Sequence, residues 1–291
     1  MSTVAYEIVD VFTDRPFAGN PLAVVYGAAD LAGDQMHTLA REFNLAETVF
    51  VLPPTAERAT YRVRIFTPEG EVPFAGHPSV GAAVTSMRRG LFGAGEVVQE
   101  CGAGLLPIIV DAAGSAILTG GRPVLGPPLD PGPLLAMAGL SADDYAGGGS
   151  AVPRSAGCGL DWVFLPVRRE ALEQSRIDVP AAEKLGVTEL SVFAWDGAEA
   201  RARVFVPGAA VPEDPATGSA ALGLGLWLVA AGWLAGEGTS SYRVHQGVEM
   251  RRPSLLTCTV TAAGGVATSA TVAGHVVPIA GGQIAVPPFI G

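Results

Sequence analysis

Residues 62–73 read RVRIFTPEGEVP, and residues 201–212 read RARVFVPGAAVP. At this offset of 139 positions Arg62 meets Arg201, Arg64 meets Arg203, Phe66 meets Phe205 and Pro68 meets Pro207. Val72/Val211 and Pro73/Pro212 also coincide, and Ile65/Val204 is a like-for-like exchange. Paired arginines and prolines within so short a stretch argue for duplication rather than coincidence between two Ala/Gly/Val-rich segments. Upstream the offset becomes 142, where FNLAETVFV (43–51) lies over LGVTELSVF (185–193) and Glu47 meets Glu189. Downstream 142 returns, with Gly81/Gly223 and Gly90/Gly232 in step. A loop three residues shorter, then one three residues longer, accounts for the change of offset.

The chain therefore divides into two related halves: an N-terminal half over 1–118, with 279–291 as a candidate closing segment, and a C-terminal half over 119–278. They are joined where Gly and Pro cluster in GGRPVLGPPLDPGP (120–133). Within the halves, YEIVDVF, LAVVYG, TVFVLP and ATYRVRIF carry the β-branched and aromatic runs of strands. DQMHTLAREF has helical spacing, placing Met36, Leu39, Ala40 and Phe43 on one face. Strands bracketing one long apolar helix per half predict an α+β fold with sheets wrapped around a buried helix. No GxGxxG or Walker A spacing falls where a nucleotide fold needs it.

Composition narrows the functional classes. Of 291 residues 49% are hydrophobic and only 16% charged, ample for a sizeable core. A net charge of −10 without any Lys/Arg run argues against a nucleic-acid partner. The uncharged stretch Pro215–Gly236 is long enough to span a bilayer. Its repeat mate ends in Arg88 and Arg89, as a surface-reaching helix does, so a buried helix is expected and no membrane partner. Cys101, Cys158 and Cys258 are odd in number and widely spaced, which suggests neither a zinc site nor a disulfide framework. The N-terminus lacks a basic start and an apolar h-region, so a cytoplasmic location is expected.

Two helix starts occupy corresponding places: Ala75-Gly76-His77-Pro78-Ser79 and Glu213-Asp214-Pro215-Ala216-Thr217-Gly218-Ser219. A helix N-terminus presents unpaired amides and about half a positive charge, a seat for a carboxylate. Two such mouths from related halves are expected to face one another across a cleft, where ligand sites are favoured. Singly, Thr217 or Ser219 reads as a cap; as a repeated pair, the two starts read as a ligand site. Glu47 precedes an apolar strand and is either a rim residue or a desolvated acid/base suited to proton transfer. Asp214 could equally cap its helix, and His77 satisfy a backbone carbonyl.

Four motifs, DVFTDRPFAGNPLAVV (10–25), NLAETVF (44–50), RIFTPEGEVPFAGHPSVGAA (64–83) and EDPATGSAA (213–221), closely resemble the phenazine-biosynthesis PhzF-like isomerase family. They run in order over most of the chain. The resemblance implies a diaminopimelate epimerase-like fold: two pseudo-symmetric halves, each a curled, mostly antiparallel sheet around a central helix, with the site between them. It implies a homodimer that needs no metal or other cofactor and acts on a small-molecule carboxylate. The reaction it implies moves a proton within trans-2,3-dihydro-3-hydroxyanthranilate or a similar unsaturated cyclic acid. Glu47 is then the general acid/base, assisted by His77 and Asp214, while Gly76, Thr217, Gly218 and Ser219 line the site. Asn20 is a further candidate substrate contact. Epimerases and racemases of the same fold use a cysteine at each helix mouth; here Gly76-His77 and Thr217-Gly218-Ser219 stand there, which disfavours two-thiol chemistry. An epimerase or lyase on another small carboxylate, and a non-catalytic metabolite-binding scaffold, are the alternative readings.

Overall fold

The computed structural model describes residues 2–209 and 211–288. Ala210, inside the second copy of the repeat, and residues 289–291 of the expected closing segment lie outside the described residues. The chain folds as two compact units, one running to Leu118 and resuming at Ala273, the other spanning Thr119–Val272. The first unit thus resumes at Ala273, inside a strand, where the sequence reading placed its closing segment at 279.

The first unit holds β1 (Thr3–Val11), β2 (Asn20–Tyr26), α1 (Gly33–Phe43), β3 (Thr48–Leu52), β4 (Tyr61–Phe66) and β5 (Glu71–Val72). It continues with α2 (Gly76–Arg88), β6 (Gly95–Cys101), β7 (Gly104–Asp111) and β8 (Ser115–Thr119). The second holds β9 (Val124–Pro128), α3 (Pro131–Met137), β10 (Arg154–Gly157), β11 (Asp161–Pro166), α4 (Ala171–Gln174), α5 (Val179–Leu185) and β12 (Leu190–Trp195). Then follow β13 (Glu199–Phe205), β14 (Glu213–Asp214), α6 (Gly218–Ala230), β15 (Gly238–Gln246) and β16 (Ser254–Ala263), and β17 (Val266–Ala285) begins in the second unit and ends in the first. The later residues of β17 pair antiparallel with β1, Val11 opposite Val276.

The duplication is visible in the strand pairing. In the first unit β1–β2 is antiparallel, β2–β3 parallel, β3–β4 and β4–β5 antiparallel, β4–β6 parallel and β6–β7 antiparallel. The second unit repeats that order of senses from β10 through β16. In both units the strand pairing is therefore mixed. Register also corrects the sequence alignment. Phe66 pairs with Glu71 and Phe205 with Glu213, so Glu71 corresponds to Glu213. The longer loop of the second copy falls inside the quoted stretch, between Phe205 and Glu213, and Val72/Val211 and Pro73/Pro212 are coincidences of composition.

What the matched arginines do is now plain. Arg64 grips Glu71 with two parallel bonds, Nε to Oε1 at 2.7 Å and Nη2 to Oε2 at 2.6 Å. Arg203 grips Glu213 likewise, at 2.9 and 2.8 Å. Each guanidinium also lies over the ring two residues on, Arg64 over Phe66 and Arg203 over Phe205. Such planar, two-bond pairing is what guanidinium geometry favours. In each unit it staples the short strand that leads into the long helix.

Both long helices are buried over nearly their whole length. α2 packs on β1, β2, β3 and β7, and α6 on β9, β10, β11 and β16. The repeated glycines follow from that closeness. A Cβ at Gly81 would collide with Leu22 and press on Val11; one at Gly223 would meet the Ala156 carbonyl and the Phe164 ring. Gly90 and Gly232 end the helices at φ 77° and 73°, a conformation glycine adopts without a steric penalty. Both ends close with the same bonds, Leu91 N to Ser86 O and Trp233 N to Leu228 O. At 13 residues α6 is shorter than its uncharged sequence stretch, and no helix among the described residues is long and apolar enough to cross a membrane.

Candidate active site

The first unit brings three of the named residues together. α1 is amphipathic, burying Met36, Leu39 and Ala40 against Val25, Phe50 and Phe66, with Phe43 packed on the edge of that cluster. Asn44 stops it in the left-handed conformation, φ 50°, its N–H bonded to Ala40 O. That turn delivers Glu47 immediately before β3, whose five residues are all buried. Glu47 is thus held by a stiff strand on one side and a capped helix on the other, its side chain 20% exposed.

His77 is the second residue of α2 and is buried. Its Nε2 stands 3.5 Å from Glu47 Oε2, and its Nδ1 stands 3.2 Å from Asn20 Nδ2, at the start of β2. Burial pushes the imidazole pKa down to about 3. His77 is therefore neutral at physiological pH, and its approach to Glu47 at 3.5 Å is a close polar contact, neither an ion pair nor a formed hydrogen bond. Ala75, at the N-cap, carries no group that could cap the helix, and Pro78 has no N–H. Ser79 turns its hydroxyl back to Ala75 O at 2.9 Å and accepts from Gln99 Nε2 at 2.8 Å. The first-turn amides of Gly76 and His77 thus have no side-chain cap from their own N-cap residue, the arrangement that suits an incoming anion.

The second unit assembles the other residues. Thr217 is the N-cap of α6 but its hydroxyl does not cap the helix. It donates instead to Asp214 Oδ2 at 2.5 Å and accepts from Gln246 Nε2 at 2.8 Å. Gln246 also donates to Asp214 O at 2.7 Å and accepts from Thr217 N at 3.1 Å. This buried amide ties the Asp214–Thr217 turn to β15. Ser219 accepts from Trp162 Nε1 at 3.0 Å, and Gly218 opens the helix beside it. Ser219 occupies in α6 the position that His77 occupies in α2, and Glu189, the counterpart of Glu47, takes a bond from its neighbour Thr188. The scaffold is duplicated; its chemical equipment differs between copies.

Several participants gave no signal in the sequence. Gln246 lies about thirty residues beyond the turn it organises. Trp162 sits in a strand where an aromatic is unremarkable. Asp10, buried in β1, accepts from Phe17 N at 2.7 Å and shapes the loop that leads to Asn20. No cysteine stands in the first turn of α2 or α6; burial raises the Cys158 thiol to about 11 and pushes Cys258 higher, and Cys101 is raised as well. Among the described residues, no group of three or more His, Cys, Asp or Glu side chains is arranged to hold a metal ion.

Comparison with known proteins sets these features in a family. The model of the family described as phenazine biosynthesis-like protein matches residues 9–282. The chain is 37% identical to an uncharacterized isomerase of Mesorhizobium japonicum, over 98% of this chain and 99% of that one. It is 32% identical to the trans-2,3-dihydro-3-hydroxyanthranilate isomerase of Pseudomonas aeruginosa, over 96% and 98% respectively. The solved structure of a PhzF-family phenazine biosynthesis protein from Bacillus anthracis superposes with a TM-score of 0.86 at 24% identity, covering 98% of this chain and all of that one.

Proposed function

Given that this chain belongs to the phenazine biosynthesis-like, or PhzF, family and is an isomerase of that family, we propose that it moves a proton between two carbons of a small unsaturated cyclic carboxylic acid. Glu47 is the group that carries the proton. The observation that supports this most directly is the contact of Glu47 with a buried, neutral His77 at the mouth of α2. A carboxylate so placed can take a proton from a carbon acidified by an adjacent double bond. The electron pair moves through the conjugated system, and the same carboxyl group returns the proton at the far carbon. His77, neutral, assists as a hydrogen-bonding partner and not as a cationic acid. The amides of Gly76 and His77 suit a substrate carboxylate, and in the second unit the start of α6 beside Gly218 and Ser219 has the same character. In the second unit Asp214, oriented by Thr217 and Gln246, presents a carboxylate suited to a polar group of a ligand.

A relative that acts on trans-2,3-dihydro-3-hydroxyanthranilate supplies the first compound to try. Two-thiol epimerisation does not suit this chain, because no cysteine stands in the first turn of α2 or α6 and the raised pKa values of the thiols keep them protonated near neutrality. The test is incubation with that substrate in D₂O, with deuterium at carbon followed by NMR. Conversion with solvent deuterium incorporated, and lost in Glu47→Gln by on the order of 10²–10⁴-fold, supports the proposal. Turnover undiminished in Glu47→Gln overturns it.

A further inference from the structure

We propose that Asn20 is a positioning residue that locks His77 in one tautomer, with the proton on Nε2 directed at Glu47. This rests on the reading of Glu47 as the proton carrier, and it changes the part expected of Asn20 from a substrate contact to a support beneath the histidine.

The inference follows from both ends of the imidazole. A neutral imidazole carries one N–H and one lone pair, and the partner of one nitrogen determines which is which. On the outer side Nε2 stands 3.5 Å from Glu47 Oε2. That is a close approach without a formed hydrogen bond; a carboxylate oxygen accepts, so the form of Nε2 that suits it is N–H. Nδ1 is then the lone pair, and it needs a donor. Among the described residues the only side-chain group hydrogen-bonded to Nδ1 is the amide of Asn20, whose Nδ2 lies 3.2 Å away. An amide nitrogen donates and never accepts, so the chain Asn20 Nδ2–H to His77 Nδ1, and His77 Nε2–H toward Glu47, is consistent at every link. The opposite tautomer would place two lone pairs against each other at Nε2 and two N–H groups at Nδ1.

Burial makes the arrangement rigid. Asn20 is wholly inaccessible and His77 nearly so. A substrate reaching the Glu47 carboxylate would find Asn20 behind the imidazole, out of contact. Asn20 opens β2, which is paired to β1 on one edge and to β3 on the other. Glu47 leads directly into β3. Two neighbouring paired strands therefore set both ends of the Asn20–His77–Glu47 line.

The experiment reads the tautomer directly. Ring ¹⁵N spectra of the protein labelled at its four histidines, assigned by comparison with His77→Gln, are recorded at neutral pH. The expected wild-type signature is a protonated Nε2 and an unprotonated Nδ1. In Asn20→Asp the acceptor placed beneath the ring requires a proton on Nδ1, and the Nδ1 resonance should move to the protonated range. Asn20→Ala, the second variant should Asn20→Asp fail to fold, should lose the single-tautomer signature. With trans-2,3-dihydro-3-hydroxyanthranilate as the probe, kcat should fall on the order of 10²–10⁴-fold in Asn20→Asp, as when a histidine is held in the wrong tautomer, with KM changed by less than about threefold. A protonated Nδ1 in the wild type, an unprotonated Nδ1 in Asn20→Asp, or an unchanged kcat in a variant whose tautomer has switched would each overturn the proposal. If the wild type leaves the probe untouched, the substrate reading fails, while the spectra still decide the tautomer.

Discussion

The two arginine forks offer a matched pair for measuring what burial does to an ion pair. Their geometry is nearly the same, yet side-chain exposure is 31% for Arg64 and 42% for Glu71 against 7% for Arg203 and 18% for Glu213. Glu→Gln at either site keeps shape and removes the charge. At the exposed fork water takes over the guanidinium, and the cost should stay within about 0–1 kcal/mol. At the buried fork Arg203 stays anchored by Nη1 to the carbonyls of Leu172 at 2.8 Å and Ser175 at 2.9 Å. It cannot swing to solvent, and Glu213→Gln leaves it under-compensated. Breaking a buried pair costs about 3–5 kcal/mol; the residual exposure of Glu213 places the expected loss near the lower bound, about 3 kcal/mol. That corresponds to a fall in Tm of roughly 6–12 °C. Urea unfolding of Glu71→Gln, Glu213→Gln and the wild type measures the difference. Because Glu213 neighbours Asp214 on β14, Glu213→Gln should also lower turnover more than Glu71→Gln does. Equal destabilisation by the two substitutions, within about 0.5 kcal/mol, would refute the reasoning that burial and anchoring govern the cost.

Other outcomes follow from the same structure. His77 unfolds to a histidine of ordinary pKa but is held at about 3 when folded, so the unfolded chain binds the extra proton first. Stability should therefore fall as pH drops from about 6.5 toward 3, by at most about 1.4 kcal/mol per pH unit from this group, and denaturation curves of His77→Gln should lack that component. The Glu71 carboxyl, lowered chiefly by its bond to Arg64, contributes stability present above its unfolded pKa and lost as pH falls through its folded one; Glu71→Gln should flatten that acid limb. Gly223→Ala should cost about 1–3 kcal/mol by overpacking against Ala156 and Phe164, and Gly232→Ala about 1–2 kcal/mol for a left-handed residue with a Cβ, both read from thermal melts. Iodoacetamide at neutral pH should leave the isomerisation rate within about twofold of control, since the buried thiols are held protonated; rapid inactivation would revive a thiol mechanism.

The duplication was legible because its signals are local and chemical. Arginine beside an aromatic, glycine where a helix touches a sheet and glycine where a helix ends are each demanded by a contact that recurs in both units. The alignment slipped where no such demand exists: Val72/Val211 and Pro73/Pro212 matched in letters, while strand pairing sets Glu71 against Glu213. Amphipathic α1 was readable from its period because only one face is buried. The Asp214–Thr217–Gln246 tie was not, because an amide on a distant strand has no periodicity and no preferred spacing from the turn it serves.

From the order of residues alone came the two halves, the long buried helices, the absence of thiols at their mouths and the names of Glu47, His77 and Asp214. Local pattern suffices for the halves, the helices and the missing thiols, since each is a matter of composition or of neighbours along the chain; the roles of the three named residues came only from the resemblance of their motifs to the PhzF-like family. What required the fold was the state of those groups: that His77 is neutral, that its inner nitrogen meets Asn20 across 57 positions of sequence, and that its outer one meets Glu47. Protonation and tautomer depend on burial and on partners within a few ångströms, and those distances exist only once the strands have paired.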